Sequence, residues 1–448
     1  MKSRIEQTVY SFLKKRLDLK ETPLLLGLSG GPDSLTLFYI LLKLKKKLSF
    51  NLHIAHVDHK WRPKSSMEAQ ELNLLAKKHA IPFHLRTLDS KQWKSNKEAL
   101  AREERLNFFL SLHRLLQCQA LLLGHHADDQ AETVLKRTFE GASLAKLFGL
   151  RKESAIRDMP IWRPLLSATK SDICSWLSAH KHNAFDDYTN KDPNYLRGRM
   201  RVDLLPRLSR SFGKEIQRSL CRIASESEEL QSYLDKRVEP YLKSLQMGKM
   251  GVYLDFKDLL PLDKVEMKHL ISKICAFADL SPGRDILDLL YCLLVKKTAD
   301  KKVEKEKKTI FVDRGRLFVP FFKPLNKKEP LEIDIGVYSY ENWKISIKRA
   351  NKEEKNPRSW KNLWVNYSSV FLPYGKYYIA PPITNSPYPR TSPLNQWWSK
   401  NKVPAFLWKN VPVIWSKKEI KHEFLTGKKK GEIKDPFFYV EIGLEKRR

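Results

Sequence analysis

A buried-strand pattern runs into a pair of glycines at residues 24–34, LLLGLSGGPDS, and this junction constrains the chain more than any other. The apolar run Leu24, Leu25, Leu26 and Leu28 suits a strand covered on both faces, so the glycines stand where strand hands over to helix. Gly30 and Gly31 can take backbone angles closed to other residues, which lets successive N–H groups converge on phosphate oxygens at the helix start. Pro32 suits the first helical position. Ser29 and Ser34 can add hydroxyl hydrogen bonds, and Asp33 can hold the Mg2+ that accompanies a nucleoside triphosphate. The segment lacks the lysine of a GxxxxGK[ST] loop and is therefore a different solution to phosphate binding. On these residues alone, an ordinary glycine-rich turn competes with that reading.

The surrounding pattern favours the phosphate loop. Apolar runs at 23–28, 51–57, 81–85 and 120–124 are each followed by a helical pattern, at 32–47, 66–80, 97–117 and 128–140. Such alternation predicts an α/β, Rossmann-like domain over residues 1–206, with a doubly wound, mostly parallel sheet whose ligands sit beyond the carboxyl ends of the strands. Residues 211–300 read as a helical linker domain, with helical spacing at 228–238 and 265–277. The run KKVEKEKK at 301–308 reads as a charged connection, and shorter apolar and aromatic pieces beyond it predict a small α+β domain over residues 309–448.

Charge narrows the partners. The 448 residues carry 83 Lys and Arg against 51 Asp and Glu, a net +32. Residues 1–210 hold 37 basic and 22 acidic side chains (+15), leaving 46 and 29 (+17) for the rest. Positive charge spread over the whole length suits a large polyanion touching more than one domain. Five scattered cysteines without a CxxC argue against a disulfide scaffold, structural zinc or an iron–sulfur site. No apolar stretch approaches the ~20 residues of a membrane span, and the first residues lack a signal-peptide core, so a cytoplasmic location without membrane partner is expected.

Further motifs cluster at the expected strand ends. The second apolar run closes in His56, Val57, Asp58, His59, Lys60, Trp61 and Arg62. Residues 96–105 read NKEALAREER and include Arg102 and Arg105; residues 124–133 read GHHADDQAET and include His125, Asp129 and Glu132. Then come Arg163, Pro164, Leu165 and Leu166, followed by Asp187, Asn190 and Tyr195 and the alternating Arg197, Arg199 and Arg201. In order and spacing these segments, with the loop at 29–34, resemble the tRNA(Ile)-lysidine synthetases, a family of PP-loop ATP pyrophosphatases. The resemblance spans almost all of residues 1–206 and weakens beyond; Lys60 and Trp61 stand where that family usually has Gly-Leu.

That resemblance implies an enzyme that binds an isoleucine tRNA with a CAU anticodon and adenylates the carbon-2 oxygen of the wobble cytidine with ATP. The ε-amine of free L-lysine then displaces AMP. Residue chemistry fits this on its own terms. Ser29, Gly30, Gly31, Pro32, Asp33, Ser34 and His56 are the expected nucleotide-binding residues, with Asp33 also on Mg2+. Arg102 and Arg105 lie three apart on a helix, so both can contact phosphate or the cytidine. Asp129 and Glu132, also three apart, can grip the lysine ammonium or orient the base. Asp33, Arg105, Asp129 and Glu132 are the expected catalytic set; Arg102, His125, Arg197, Arg199 and Arg201 are expected to meet tRNA, the last three aligning on one side if extended. Trp397, Trp398, Trp408 and Trp415 suit either base stacking or a core. A tRNA thiolase and a noncatalytic RNA-binding protein are the alternatives. The missing cysteine pair speaks against the first and the intact acids against the second. Oligomeric state stays open, a homodimer included.

Overall fold

A computed structural model describes residues 3–18, 22–61, 64–88, 97–185, 196–257, 262–305, 308–322, 325, 329–350, 359–388, 392–426 and 437–445, and the structural statements below concern these residues. Arg62, Asn96, Asp187, Asn190 and Tyr195, named above, lie outside them. The chain divides into two compact units, Met1–Gln231 and Ser232–Arg448.

The first unit starts with α1 (Arg4–Lys14) and then alternates: β1 (Leu24–Gly27), α2 (Pro32–Lys45), β2 (Leu52–Asp58), α3 (Ser65–Lys78), β3 (Phe83–Thr87), α4 (Lys97–Leu115), β4 (Ala120–Leu122) and α5 (Ala127–Phe139). These fall where the apolar and helical patterns predict them. The sheet order is β3-β2-β1-β4-β6-β5, with β1 parallel to both β2 and β4. Strands buried on both faces explain the unbroken leucines. Leu24, Leu26, Leu52 and Ile54 pack with α1, α2 and Trp176 of α6 (Lys170–Ala179), while Leu25, Ala55, Val57 and Leu121 pack with Phe109 and Leu112 of α4 on the other side. The fold is thus doubly wound, and the chain reverses direction across the sheet between β1 and β4, the usual place for a ligand crevice.

Two strands escaped the periodicity. β5 (Glu153–Ile156) and β6 (Met159–Trp162) form a hairpin on the sheet edge, with β6 parallel to β4. The turn takes positive φ at both Arg157 and Asp158, 47° and 68°, a conformation usually flagged in sequence by Asn-Gly or Asp-Gly and here made by Arg-Asp. After α6 come α7 (Leu196–Arg199), a π-helical turn (Met200–Leu204), α8 (Leu205–Phe212) and the long α9 (Ile216–Leu242). The three alternating arginines are therefore helical, not extended; one-sided alignment at a spacing of two does not apply, and Arg197 and Arg201 fall one turn apart instead.

In the second unit, the stretch expected to be helical holds α10 (Lys264–Ala276) and α11 (Arg284–Val295), but also β7 (Gln246–Gly248) and β8 (Gly251–Asp255). These strands join β9 (Lys301–Lys305), β10 (Lys308–Asp313) and β11 (Arg316–Pro320) in a sheet of order β7-β8-β11-β10-β9. The Lys/Glu run thus contributes to a hairpin, not a linker. Lys302 and Glu304 pair on the exposed side of β9 while Val303 between them is buried, a period of two hidden by the charge. Two further four-stranded sheets follow, built mainly from residues 331–350, 367–380, 413–422 and 437–444. Their core takes Trp398 at full burial, packs Trp397, Trp408 and Trp415 against it, and satisfies the Trp397 and Trp398 indoles on the buried Glu423 carboxylate. Trp398 thus takes a core role, while Trp397, Trp408 and Trp415 pack on that core with part of each side chain exposed. No helix among the described residues is long and apolar enough to cross a membrane.

Candidate active site

The loop after β1 is held open by its own residues. Gly30 sits at φ +86°, where a Cβ would also stand 2.4 Å from the Phe185 ring, so glycine is required twice over. Gly31 caps α2 at φ −71° and ψ 165°, ordinary extended backbone, and Pro32 follows at the start of the helix. Ser34 is buried and acts as the keystone. Its hydroxyl accepts from the Ser29 N–H at 3.1 Å and donates to the Gly31 carbonyl at 3.1 Å. With that single proton spent, the Ser29 hydroxyl, 3.0 Å away, must be the donor between the two side chains. His56, at the end of β2, is buried and donates from Nδ1 to the Leu28 carbonyl at 2.7 Å, bracing the strand-to-loop junction. Burial pushes its pKa down against the pull of Leu28 and Asp58, so the ring is neutral. Beside it, Asp58 accepts from Ser66 and from the Lys60 N–H. Lys60 takes φ +49° there, the left-handed region that favours the family's glycine.

Adjacency of β1 and β4 brings the GHHADD segment against this loop. A Cβ on Gly124 would lie 3.0 Å from the Asp33 carbonyl carbon and the Ser34 nitrogen, so the two loops touch backbone to backbone. His126 caps α5, its N–H donating to Asp129 Oδ2 at 3.0 Å. Its imidazole faces three carboxylates: Nε2 lies 3.6 Å from Asp33 Oδ1 and 3.5 Å from Asp129 Oδ2, and Nδ1 3.3 Å from Asp128 Oδ2. Burial alone would lower its pKa, but those acids raise it above the ordinary value. Its neighbour behaves oppositely. Burial, with Arg163, Arg197 and Arg105, drives His125 down to about 4 despite Asp129. Arg163 Nε donates to His125 Nδ1 at 3.2 Å, so the neutral ring carries its proton on Nε2 and can donate from there.

Asp129 and Glu132, one turn apart on α5, share Arg201. The guanidinium binds Asp129 Oδ1 at 2.7 Å and Glu132 Oε1 through Nε. Burial works to raise Asp129, yet His126, His125 and Arg201 hold it below its usual range. Glu132 is only 2% exposed, and burial raises it even against Arg201. Its Oε2 is buried without a hydrogen-bond partner. Arg197 is exposed but near enough to act on His125 and Glu132, and Arg105 acts on His125 from α4. Arg102 and Arg199 are exposed on α4 and α7. Lys170 is the residue that sequence reasoning missed. The first residue of α6, it reaches Asp33 Oδ1 from Nζ at 2.6 Å, and nothing local in SATKSD marks it.

The donor set at Asp33 is hard oxygen, which suits Mg2+. Among the described residues, no group of three or more His, Cys, Asp or Glu that could hold a metal ion is present. Three of the thiols are poor nucleophiles as they stand. Burial raises Cys118 and Cys221 to about 11 and Cys275 to about 12.

Comparison with known proteins places the chain among relatives of one kind. A family model described as a PP-loop domain matches residues 1–208. The tRNA(Ile)-lysidine synthase of Protochlamydia amoebophila is 36% identical over 446 residues, covering 99% of this chain and 97% of the relative. Those of Chlamydia pneumoniae and Chlamydia caviae are 37% and 35% identical, covering 61% and 66% of this chain and 85% and 92% of the relatives.

Proposed function

The chain belongs to the tRNA(Ile)-lysidine synthase family, and on that footing we propose that the cluster around Asp33, His126, Asp129, Glu132 and Arg201 is where ATP, the wobble cytidine and free lysine meet. The enzyme is a ligase that forms lysidine on tRNA, and its PP-loop domain binds ATP. Finer assignments follow from the site chemistry. ATP phosphates lie on the N–H groups of Gly30, Gly31, Asp33 and Ser34 around the start of α2. Mg2+, held by Asp33 with those phosphates, would disperse charge there. An amide-like oxygen is a weak nucleophile, so the site's first task is to set the cytidine oxygen in line with the α-phosphorus. His126, whose pKa is raised by the surrounding carboxylates, and the neutral donor His125 suit stabilising the oxygens on which charge builds.

The observation that carries the reading is the acid pair. Asp129 and Glu132 hold one guanidinium now, and the same pair of carboxylates can bind another cation of similar reach, the lysine ammonium. That ammonium must lose a proton before its nitrogen attacks carbon-2 and AMP leaves. Glu132, the acid whose pKa is raised, is the better proton acceptor of the two. The +17 carried by residues 211–448 supports giving them the grip on the tRNA body, with residues 1–206 holding the chemistry. Burial raises Cys118, Cys221 and Cys275, which counts against those three thiols as sulfur carriers.

Two half-reactions test the proposal. Glu132→Gln should still release pyrophosphate with tRNA and ATP, yet fail to join lysine to the RNA. Loss of both steps together, in a folded variant, would remove Glu132 from the lysine step.

A further inference from the structure

The loop at residues 29–34 contains no lysine, yet the structure brings one to it from 137 positions away. Lys170 opens α6 just after the Thr169 cap, which is closed reciprocally by Asp172. Its main chain is clamped to α5: the Lys170 N–H donates to Asp128 Oδ2 at 2.8 Å, and the Ala127 N–H donates to the Ala168 carbonyl at 2.8 Å. Only the side chain is left to move. It leans on Asp33 at 2.6 Å while keeping 40% of its surface open. Around it the charge is acid-rich, since Asp33, Asp128 and Asp129 all lie within 3.6 Å of His126. A triphosphate laid on this loop would face those carboxylates, and cations must separate them.

We propose that Lys170 binds the β- and γ-phosphates of ATP and neutralises the pyrophosphate as it departs, supplying from α6 the ammonium that a GxxxxGK[ST] loop carries within itself. The assignment rests on reading residues 29–34 as the ATP loop. In the adenylation step a bond forms between the cytidine oxygen and the α-phosphorus while the bond to the bridging oxygen of the β-phosphate breaks. The electron pair of that bond stays on pyrophosphate. Lys170 is placed to meet that charge with one N–H while another keeps its hold on Asp33, since an ammonium has three.

Lys170→Met keeps the length of the side chain and removes its charge; Lys170→Arg keeps the charge. Binding of ATP, AMP and inorganic pyrophosphate to the full-length protein in Mg2+ buffer, with thermal unfolding of each variant, tests the idea. The methionine variant should lose roughly tenfold or more in affinity for ATP and pyrophosphate, the strength of a charge-assisted contact, while AMP stays within about twofold. Arginine should restore much of the loss. An equal loss for AMP would make Lys170 a structural partner of Asp33 and overturn the proposal, as would unchanged binding of all three. If the wild-type protein itself failed to bind ATP, the loop reading would fall first, and that control is read independently of any variant.

Discussion

Gly31→Ala separates what the fold needs from what the ligand needs. At φ −71° and ψ 165° the backbone of Gly31 suits any residue, and an added Cβ meets nothing closer than the Ser29 hydroxyl at 3.7 Å. Replacing glycine by alanine at a helix cap costs about 0.5–1 kcal/mol, and the stiffer unfolded chain returns about 0.4–1 kcal/mol. These nearly cancel, so the melting temperature should move by less than about 4 °C. Nucleotide binding should respond very differently. The methyl group enters the space over which the loop N–H groups converge, and losing one or two charge-assisted hydrogen bonds of about 1.5–3 kcal/mol each weakens ATP by at least ~10-fold. Gly30→Ala would be a poor substitute, because positive φ and the Phe185 ring would damage the fold itself. Calorimetric titration with ATP beside a melting curve decides the matter. A variant that melts and binds ATP as the wild type does would show that phosphates do not approach Gly31.

Gly124→Ala should do the reverse of a clean binding defect: its Cβ presses on the Asp33 and Ser34 backbone, costing about 1–3 kcal/mol by overpacking, read by urea denaturation, and lowering turnover. Asp33→Asn should abolish pyrophosphate release while filter binding of tRNA stays near normal, if the carboxylate holds the metal as proposed and not the RNA. Replacing all five cysteines by Ala or Ser should leave lysine incorporation intact in folded protein, apart from packing losses of about 1–3 kcal/mol. His125 gives a pH signature: its folded pKa of about 4 lies below the ordinary 6.5, so the unfolded chain takes up the proton first and stability falls as pH drops from about 6.5 to about 4. His125→Asn should shrink, and His56 prevents it from abolishing, that loss between urea midpoints at pH 7 and pH 5.

Legibility tracked the range of the interactions involved. The alternation from β1 to α5 was readable because burial of the central strands on both sheet faces writes itself into continuous apolar runs, and Gly30 because its φ admits little else; α1 carried no such signal. Asp129 and Glu132 were readable as neighbours because helix spacing alone places them together. Lys170 was not, since its meaning lies in Asp33 across 137 residues. Arg201 was foreseen as a phosphate contact, but the structure turns it toward the two acids by a helical path that alternation of arginines could not reveal. The β9 strand hid because one buried valine among lysines and glutamates leaves too little apolar signal.

The most direct test of the whole account is mass analysis of nucleosides from isoleucine tRNA with a CAU anticodon, after incubation with the protein, ATP and L-lysine. A cytidine heavier by lysine less one water, appearing only when all three are present and accompanied by AMP and pyrophosphate, is the predicted result. An unmodified or sulfur-bearing wobble base, or lysine transfer that continues without ATP, would contradict it.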